Sequence, residues 1–416
     1  MPMLDAIRRL WNTTVPTGPT AEWTRARDEL LRKAPVPVFW LFGKAQSGKT
    51  SVVRFLTGAE RAVIGDGFKP TTKFSSEYAF PTEQTPVLKF LDTRGVGEPK
   101  YDPSEDLAKF NDSAHLVIVA VRAMDHAQES VVVPLRALRE AKPARPVLLL
   151  LTCLHDGYLG KQHPAKYPFG TPDEATAVPT DLARSIAAQK ERFAGLFDRA
   201  VPVDLTTPDD GFEQTDYGGP ELQAALADLL PAALRQTVLG VGEVVAELEK
   251  LYEQRAEPVI RMYAGMAAGA GVIPVPWVDM SVVAGVQAKM AHALGDVYGQ
   301  PMETRRFLEM AGAVGLGLLA RQAVRKAAKF IPGVGSLAGG ALSAASTYAL
   351  GRACCWYYGR LLHGHVPRPD EFRNVFSRQM SAAEMFWKSG AAADGKPASP
   401  PPPASPPQPE GPKLEK

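Results

Sequence analysis

A chain of 416 residues has room for two or three domains, each able to bury its own core. Hydrophobic residues at 45% and charged residues at 22% are those of an ordinary folded protein. A formal net charge of +2 excludes the pervasive basic field of a general nucleic-acid binder, so no nucleic acid is expected as a partner. The three cysteines, Cys153, Cys354 and Cys355, lack metal-ligand spacing and fit a reduced, intracellular protein. The start Met1-Pro2-Met3-Leu4-Asp5 has neither the basic flank nor the apolar run of a secretory signal.

In chain order, residues 1–35 read as an amphipathic helical lead-in with a Pro- and Gly-rich break at 15–20. Short apolar, β-branched runs then predict strands at Val36–Phe42, Ser75–Phe80, Val87–Leu91, His115–Val121, Val147–Thr152 and Ala200–Leu205. Helices are expected at Thr50–Leu56, about Ala127–Ala141, Pro179–Phe197 and, as one long element, from Pro220 toward Tyr252. Continuous runs such as Val147-Leu148-Leu149-Leu150-Leu151 suit strands buried on both faces of a parallel sheet. Strands alternating with helices predict a doubly wound α/β domain over 36–235.

The first strand runs into Gly43-Lys44-Ala45-Gln46-Ser47-Gly48-Lys49-Thr50, and a helix follows, with Ser51 in its first turn. This GxxxxGK[ST] pattern is a phosphate-binding loop. Its glycines let successive backbone N–H groups curl round phosphate oxygens, the lysine neutralises β- and γ-phosphates, and the hydroxyl of Thr50 binds magnesium. Farther on, Leu88-Lys89-Phe90-Leu91-Asp92-Thr93-Arg94-Gly95 places an acid at a strand end, followed by xxG. There Asp92 would hold magnesium through a water, and the Gly95 N–H would touch the γ-phosphate and move when it leaves. Between them lies Phe68-Lys69-Pro70-Thr71-Thr72-Lys73. Thr72, with Thr71 scarcely distinguishable, is the candidate threonine for magnesium and γ-phosphate sensing.

These motifs resemble the Ras-like GTPase superfamily, and in particular its bacterial Era-like and dynamin-like branch, a likeness carried by Asp92-Thr93-Arg94-Gly95-Val96-Gly97. The resemblance implies a Ras-like P-loop NTPase sheet, bound GTP and Mg2+, and hydrolysis at the β–γ bond, with Lys49, Thr72 and Gly95 as catalytic parts. Thr50, Thr72 and Asp92 would then organise the metal. Val96 sits where Ras-type enzymes carry a water-orienting glutamine, so Arg94, Glu98, an activating protein or a homodimer partner would orient the water. The family's base motif is Asn or Thr, then Lys, any residue and Asp. This chain has Leu151-Thr152-Cys153-Leu154-His155-Asp156, without the lysine and one residue longer. Thr152 and Asp156 are the right types to meet guanine, with Cys153 or His155 as alternatives and a plain turn at Asp156-Gly157 as the bland reading. Thr206, in Thr206-Thr207-Pro208, would approach the base from the other side. Guanine specificity rests on the resemblance, and an ATP-using P-loop enzyme or a non-hydrolysing scaffold stays open.

Residues 236–388 change character. Ala, Gly and Met rise, and no charged residue occurs over Met262–Val278 or Phe330–Gly351. Ile273-Pro274-Val275-Pro276-Trp277, Tyr298-Gly299-Gln300, Ile331-Pro332-Gly333 and Tyr348-Ala349-Leu350-Gly351-Arg352 resemble a helical domain of unknown function. That domain follows Era-like GTPase domains in bacteria and is shared with YcjF-like membrane proteins. A spanning helix needs roughly 20 apolar residues, but small side chains contribute little transfer energy and Ile-Pro interrupts each run. Basic residues outnumber acidic ones over 251–388, with Arg321, Arg325, Lys326 and Lys329 clustered beside the second run. Two readings follow. One is a domain on an anionic membrane surface at the cytoplasmic face, and the other a soluble Ala-rich bundle for assembly or docking. Residues 389–416 are a Pro-rich tail expected to be disordered. The seven histidines show no ligand spacing.

Overall fold

The computed structural model describes residues 18–60, 64, 69–70, 75–93, 106, 109–110, 112–271, 278–300, 312 and 335–390. Expectations for residues 1–17, Thr71, Thr72, Arg94, Gly95, Val96, Glu98, the Arg321–Lys329 cluster and the tail from 391 lie outside them. The chain divides into two compact units, one built on Arg27–Glu247 with Leu362–His365 and the other mainly on Leu248–Leu361.

The first unit is an α/β sheet of seven strands: β1 (Val38–Phe42), β2 (Lys69–Pro70), β3 (Ser75–Pro81), β4 (Pro86–Thr93), β5 (Leu116–Arg122), β6 (Val147–Thr152) and β7 (Arg199–Pro202). Their order is β2-β3-β4-β1-β5-β6-β7. β4, β1, β5, β6 and β7 run parallel, while β2 and β3 add an antiparallel edge. The six apolar runs become strands for the reason that marks them in the sequence. Every residue of β6 is buried, as is all of β5 except Arg122, so both sheet faces are covered. Each fully buried Leu or Val there contributes about 1.5–3 kcal/mol relative to exposure. β2 is the one strand without such a signal; two residues, ending in a proline, leave nothing for a pattern to show.

Among the described residues the longer helices are α1 (Ala21–Lys33), α2 (Lys49–Thr57), α3 (Glu129–Ala141), α4 (Thr180–Arg192), α5 (Gly219–Leu229), α6 (Ala232–Leu239), α7 (Val241–Gly271), α8 (Val278–Tyr298), α9 (Gly335–Leu362) and α10 (Pro369–Gly390). The long helix expected from Pro220 is therefore three helices. Pro231, at φ −54° and ψ 148°, has no N–H with which to continue α5 and instead starts α6. Gly240 then ends α6 before α7 begins.

The second unit is helical, and its core is aromatic. Tyr298 stacks between Tyr252 and Tyr358 with ring centroids 5.1 and 5.3 Å away. Arg352, only 8% exposed, stands 3.6 Å from both Glu253 and Glu257 of α7. Gly351 lets α9 approach Ile260 so closely that a Cβ would lie 2.7 Å from its side chain. Cys354 and Cys355 are buried and unbridged. Among the described residues, no helix is long and apolar enough to cross a membrane.

Candidate functional site

The strand order reverses direction at β1, which has β4 on one side and β5 on the other. In open α/β sheets ligands bind beyond the carboxyl ends of strands at such a point. The chain leaves β1 into Gly43, whose φ of 142° is open to glycine and whose Cβ, had it one, would sit 2.2 Å from the Ala120 carbonyl oxygen. Gln46 at φ 59° and Gly48 at φ 89° complete the curl, and α2 begins at Lys49. Backbone N–H groups at that helix start face an incoming anion with the helix dipole behind them.

Three side chains fix the loop. Lys49 Nζ donates to the carbonyls of Gly43 at 2.8 Å and Lys44 at 2.9 Å, and lies 3.8 Å from Asp92 Oδ1 at the end of β4. Lys44 Nζ reaches the Asp125 carboxylate at 2.9 Å and the carbonyl of Ala127. Burial would push the Asp125 carboxyl up, but the Lys44 ammonium and the Ala127 N–H outweigh it and hold it below the usual range. Thr152 Oγ1, at the end of β6, donates to the Ser47 carbonyl at 2.9 Å, so the strand that begins the far end of the cleft also grips the loop.

The resulting cleft has a volume of about 920 Å³. Of the residues expected at a site, Ala45, Gln46, Ser47, Gly48, Lys49, Thr50, Ser51, Asp92, Thr152 and Thr206 line it. Gly43 and Lys44 do not line it, but their carbonyls hold Lys49. Thr72 and Gly95 lie outside the described residues. Asp156 does not line the cleft; its Oδ2 accepts from Arg122 of β5 at 2.6 Å. Cys153 at φ 55° and a short 3-10 turn over Leu154–Gly157 produce that orientation. The same turn leaves His155 lining the cleft.

What the spacing did not reveal is the group around Asp204, which follows β7. Asp204 Oδ2 accepts from His155 Nδ1 at 2.7 Å, from the His155 N–H at 2.8 Å and from His163 Nε2 at 2.8 Å. The side chain of His163, 41 residues before Asp204, is fully buried and stacked on Tyr217 with centroids 4.4 Å apart. Burial alone would raise the Asp204 carboxyl; hydrogen bonds from the two imidazoles more than offset it, and the net displacement is downward. The bond to Asp204 raises His155, while burial raises the Cys153 thiol. Two histidines and a carboxylate form a ligand set by type. Yet their N···O separations are hydrogen-bond lengths, shorter than the roughly 3.3 Å between ligands of a tetrahedral zinc. The sequence signal that was available is Asp204 itself, an acid at a strand end like Asp92.

The far end is tied to the phosphate loop through α2. Arg54 donates to the carbonyls of Leu205 and Thr206, both at 3.2 Å, and pairs with Asp216. Thr206 is 7% exposed, and its buried Oγ1 has no hydrogen-bond partner among the described residues. Phe212 adds an aromatic face.

Residues 241–357 match the model of a family described as a domain of unknown function, DUF697. The helical half is therefore a DUF697 domain, joined to the P-loop α/β unit. Over 112 residues the chain is 33% identical to magnetosome membrane protein 22 of Magnetospirillum gryphiswaldense, covering 25% of this chain and 57% of that protein. Among solved structures, it is similar to Toc33 from Arabidopsis thaliana in complex with Mg2+ and GMPPNP, at TM-score 0.28 and 15% identity over 50% of this chain and 92% of that one. It is also similar to the G domain of the T. maritima FeoB iron transporter, at 0.26 and 16% over 47% and 98%. The LeoA bacterial dynamin GTPase from ETEC scores 0.34 at 13% identity, over 92% and 74%. At such scores these likenesses add nothing to what the sheet order already shows.

Proposed function

We propose that this protein binds a purine nucleoside triphosphate, GTP by preference, with magnesium, and hydrolyses its β–γ bond as a switch linked to a membrane surface through its helical half. The observation that carries the reading is Lys49, at the start of α2, folded back on the Gly43 and Lys44 carbonyls 3.8 Å from Asp92. Carbonyl contacts of this kind hold the ammonium where β- and γ-phosphate oxygens would replace them. The loop fits such a group because a Cβ at Gly43 would close it against Ala120.

Thr50 and Asp92 bring hard oxygen donors of the kind magnesium takes, and both line the cleft. Bound there, magnesium would neutralise charge on the phosphates; the chain's own part is to hold them with Lys49 and the loop N–H groups. Thr72 and Gly95 are the proposed γ-phosphate sensors. With valine at position 96, unaided turnover is expected to be slow, and an activating protein or a second copy would orient the water. The membrane link is supported by the basic bias of residues 251–388 and by the membrane-protein name of the relative matched over 112 residues. A cytoplasmic placement, on the face of the membrane or free, goes with it.

The test is titration of the full chain with a ribose-labelled GTP analogue and magnesium. Lys49→Ala should weaken binding about tenfold to 100-fold, because hydrogen bonds to charged groups contribute about 1.5–3 kcal/mol. Unchanged affinity in a folded Lys49→Ala protein would overturn the assignment. One observation favours a second reading, an adenine nucleotide: Asp156, the expected guanine reader, is held by Arg122. Competition between GTP and ATP for the labelled analogue decides between them.

A further inference from the structure

A carboxylate that reads guanine accepts from the ring N1–H and the 2-amino group. Here Asp156 is paired with Arg122, and His155 is the residue that lines the cleft. Its ring is fixed. Asp204 Oδ2 takes Nδ1 at 2.7 Å, and the same oxygen takes the His155 N–H and His163 Nε2. An ionised carboxylate has no proton to give, so Nδ1 carries the hydrogen of that bond. Nε2 is then the ring nitrogen left to meet a ligand, with Asp156 Oδ1 3.6 Å away. Thr206 Oγ1, in a residue more than nine-tenths buried, lines the same end of the cleft without a partner. Phe212, its ring centroid 5.1 Å from that of His155, supplies a stacking face.

Resting on the triphosphate reading above, we propose that His155, oriented by Asp204, is the specificity residue, and that it selects 6-oxopurines as a class by donating from Nε2 to the base O6, with Thr206 beside it and Phe212 against the ring. The acidic pair Asp204 and Asp156 around the imidazole favours the form that carries both ring protons. Adenine presents a 6-amino donor where guanine presents O6, so it would set two donors against each other. Hypoxanthine shares O6 and lacks only the 2-amino group, which a contact from His155 Nε2 to O6 does not read. Inosine triphosphate therefore serves nearly as well as GTP, in contrast to a pocket read by an aspartate.

The experiment is displacement of the ribose-labelled GTP analogue from the full chain by GTP, ITP, XTP, ATP and inorganic tripolyphosphate. ITP should bind within about threefold of GTP and ATP about tenfold or more weakly, the scale set by one lost hydrogen bond to a charged group. His155→Phe, which keeps a ring and removes the donor, should bring GTP and ATP together while leaving tripolyphosphate competition unchanged. Thr206→Val should weaken GTP and ITP equally, and a thermal melt of each variant separates lost recognition from lost fold. ITP more than about tenfold weaker than GTP, together with Asp156→Asn turning the preference to XTP, would place the base on Asp156 and overturn the proposal. So would ATP binding as well as GTP, or stoichiometric zinc in the purified protein that His155→Phe removes. Failure of every nucleotide and of tripolyphosphate to displace the analogue would instead strike the triphosphate reading, and this inference with it.

Discussion

Asp204 and His155 exchange a proton-dependent bond, and the pH dependence of their contribution to stability follows from the two displacements. The folded Asp204 carboxyl lies below its ordinary value, so its contribution is present above about pH 3.9, the unfolded value, and is lost as pH falls through the folded one. The folded His155 lies above its ordinary value, so its contribution is full below about pH 6.5 and is lost as pH rises through the folded one. Burial, Asp156 and Arg122 also bear on His155, and His163 faces Asp204. The melting temperature of Asp204→Asn should therefore fall furthest below wild type between about pH 4 and 6.5, and the gap should narrow in more alkaline buffer. A gap that widens steadily with pH would contradict the assignment. At this scale the sequence was half legible. Gly43, Lys49 and Asp92 announce themselves because the chemistry demands those residue types at that spacing. Counting residues from Thr152 shows an aspartate one place late, but not that Cys153 turns left-handed and sends Asp156 to Arg122 and His155 to the cleft.

Helices and strands carry the next level of control. α2 begins at the phosphate loop and, through Arg54, ends against the carbonyls that follow β7. Both ends of the cleft are thus tied to one short helix. Arg54→Met should destabilise the first unit by about 1–3 kcal/mol in denaturant unfolding, because two carbonyls and the half-exposed Asp216 lose a charged donor. It should also weaken nucleotide binding although Arg54 is absent from the cleft lining. An Arg54→Met protein with wild-type stability and wild-type affinity would show the tie to be idle. The strands were legible as elements because burial on both faces leaves long apolar runs. The interruptions at Pro231 and Gly240 were harder to see, since the helical pattern of apolar residues continues across them.

For the chain as a whole, the basic bias of residues 251–388 sets the kind of contact to expect of the proposed membrane link. Binding should be electrostatic. Flotation of the full chain with vesicles containing phosphatidylserine should succeed at about 0.1 M salt, where charges act across roughly 10 Å, and fail at about 1 M, where they act across roughly 3 Å. Retention at both concentrations would mean insertion, and no binding to anionic vesicles would remove the membrane from the proposal. The organisation into an α/β half and a helical half was legible from where strand signals stop. The function of the helical half was not, because an Ala- and Gly-rich pattern shows close packing without showing against what.

The borders of the sheet bear on how two copies can meet. Among the described residues, one side is β2, two residues long and ending at Pro70, and the other is β7, four residues ending at Pro202. Short rims that end in a residue without an N–H give a neighbouring chain almost no ladder to extend. Interlocking by strand addition is thereby discouraged at both borders, and a second copy of the kind proposed to orient the water would have to come in over the loops and helix ends that frame the cleft.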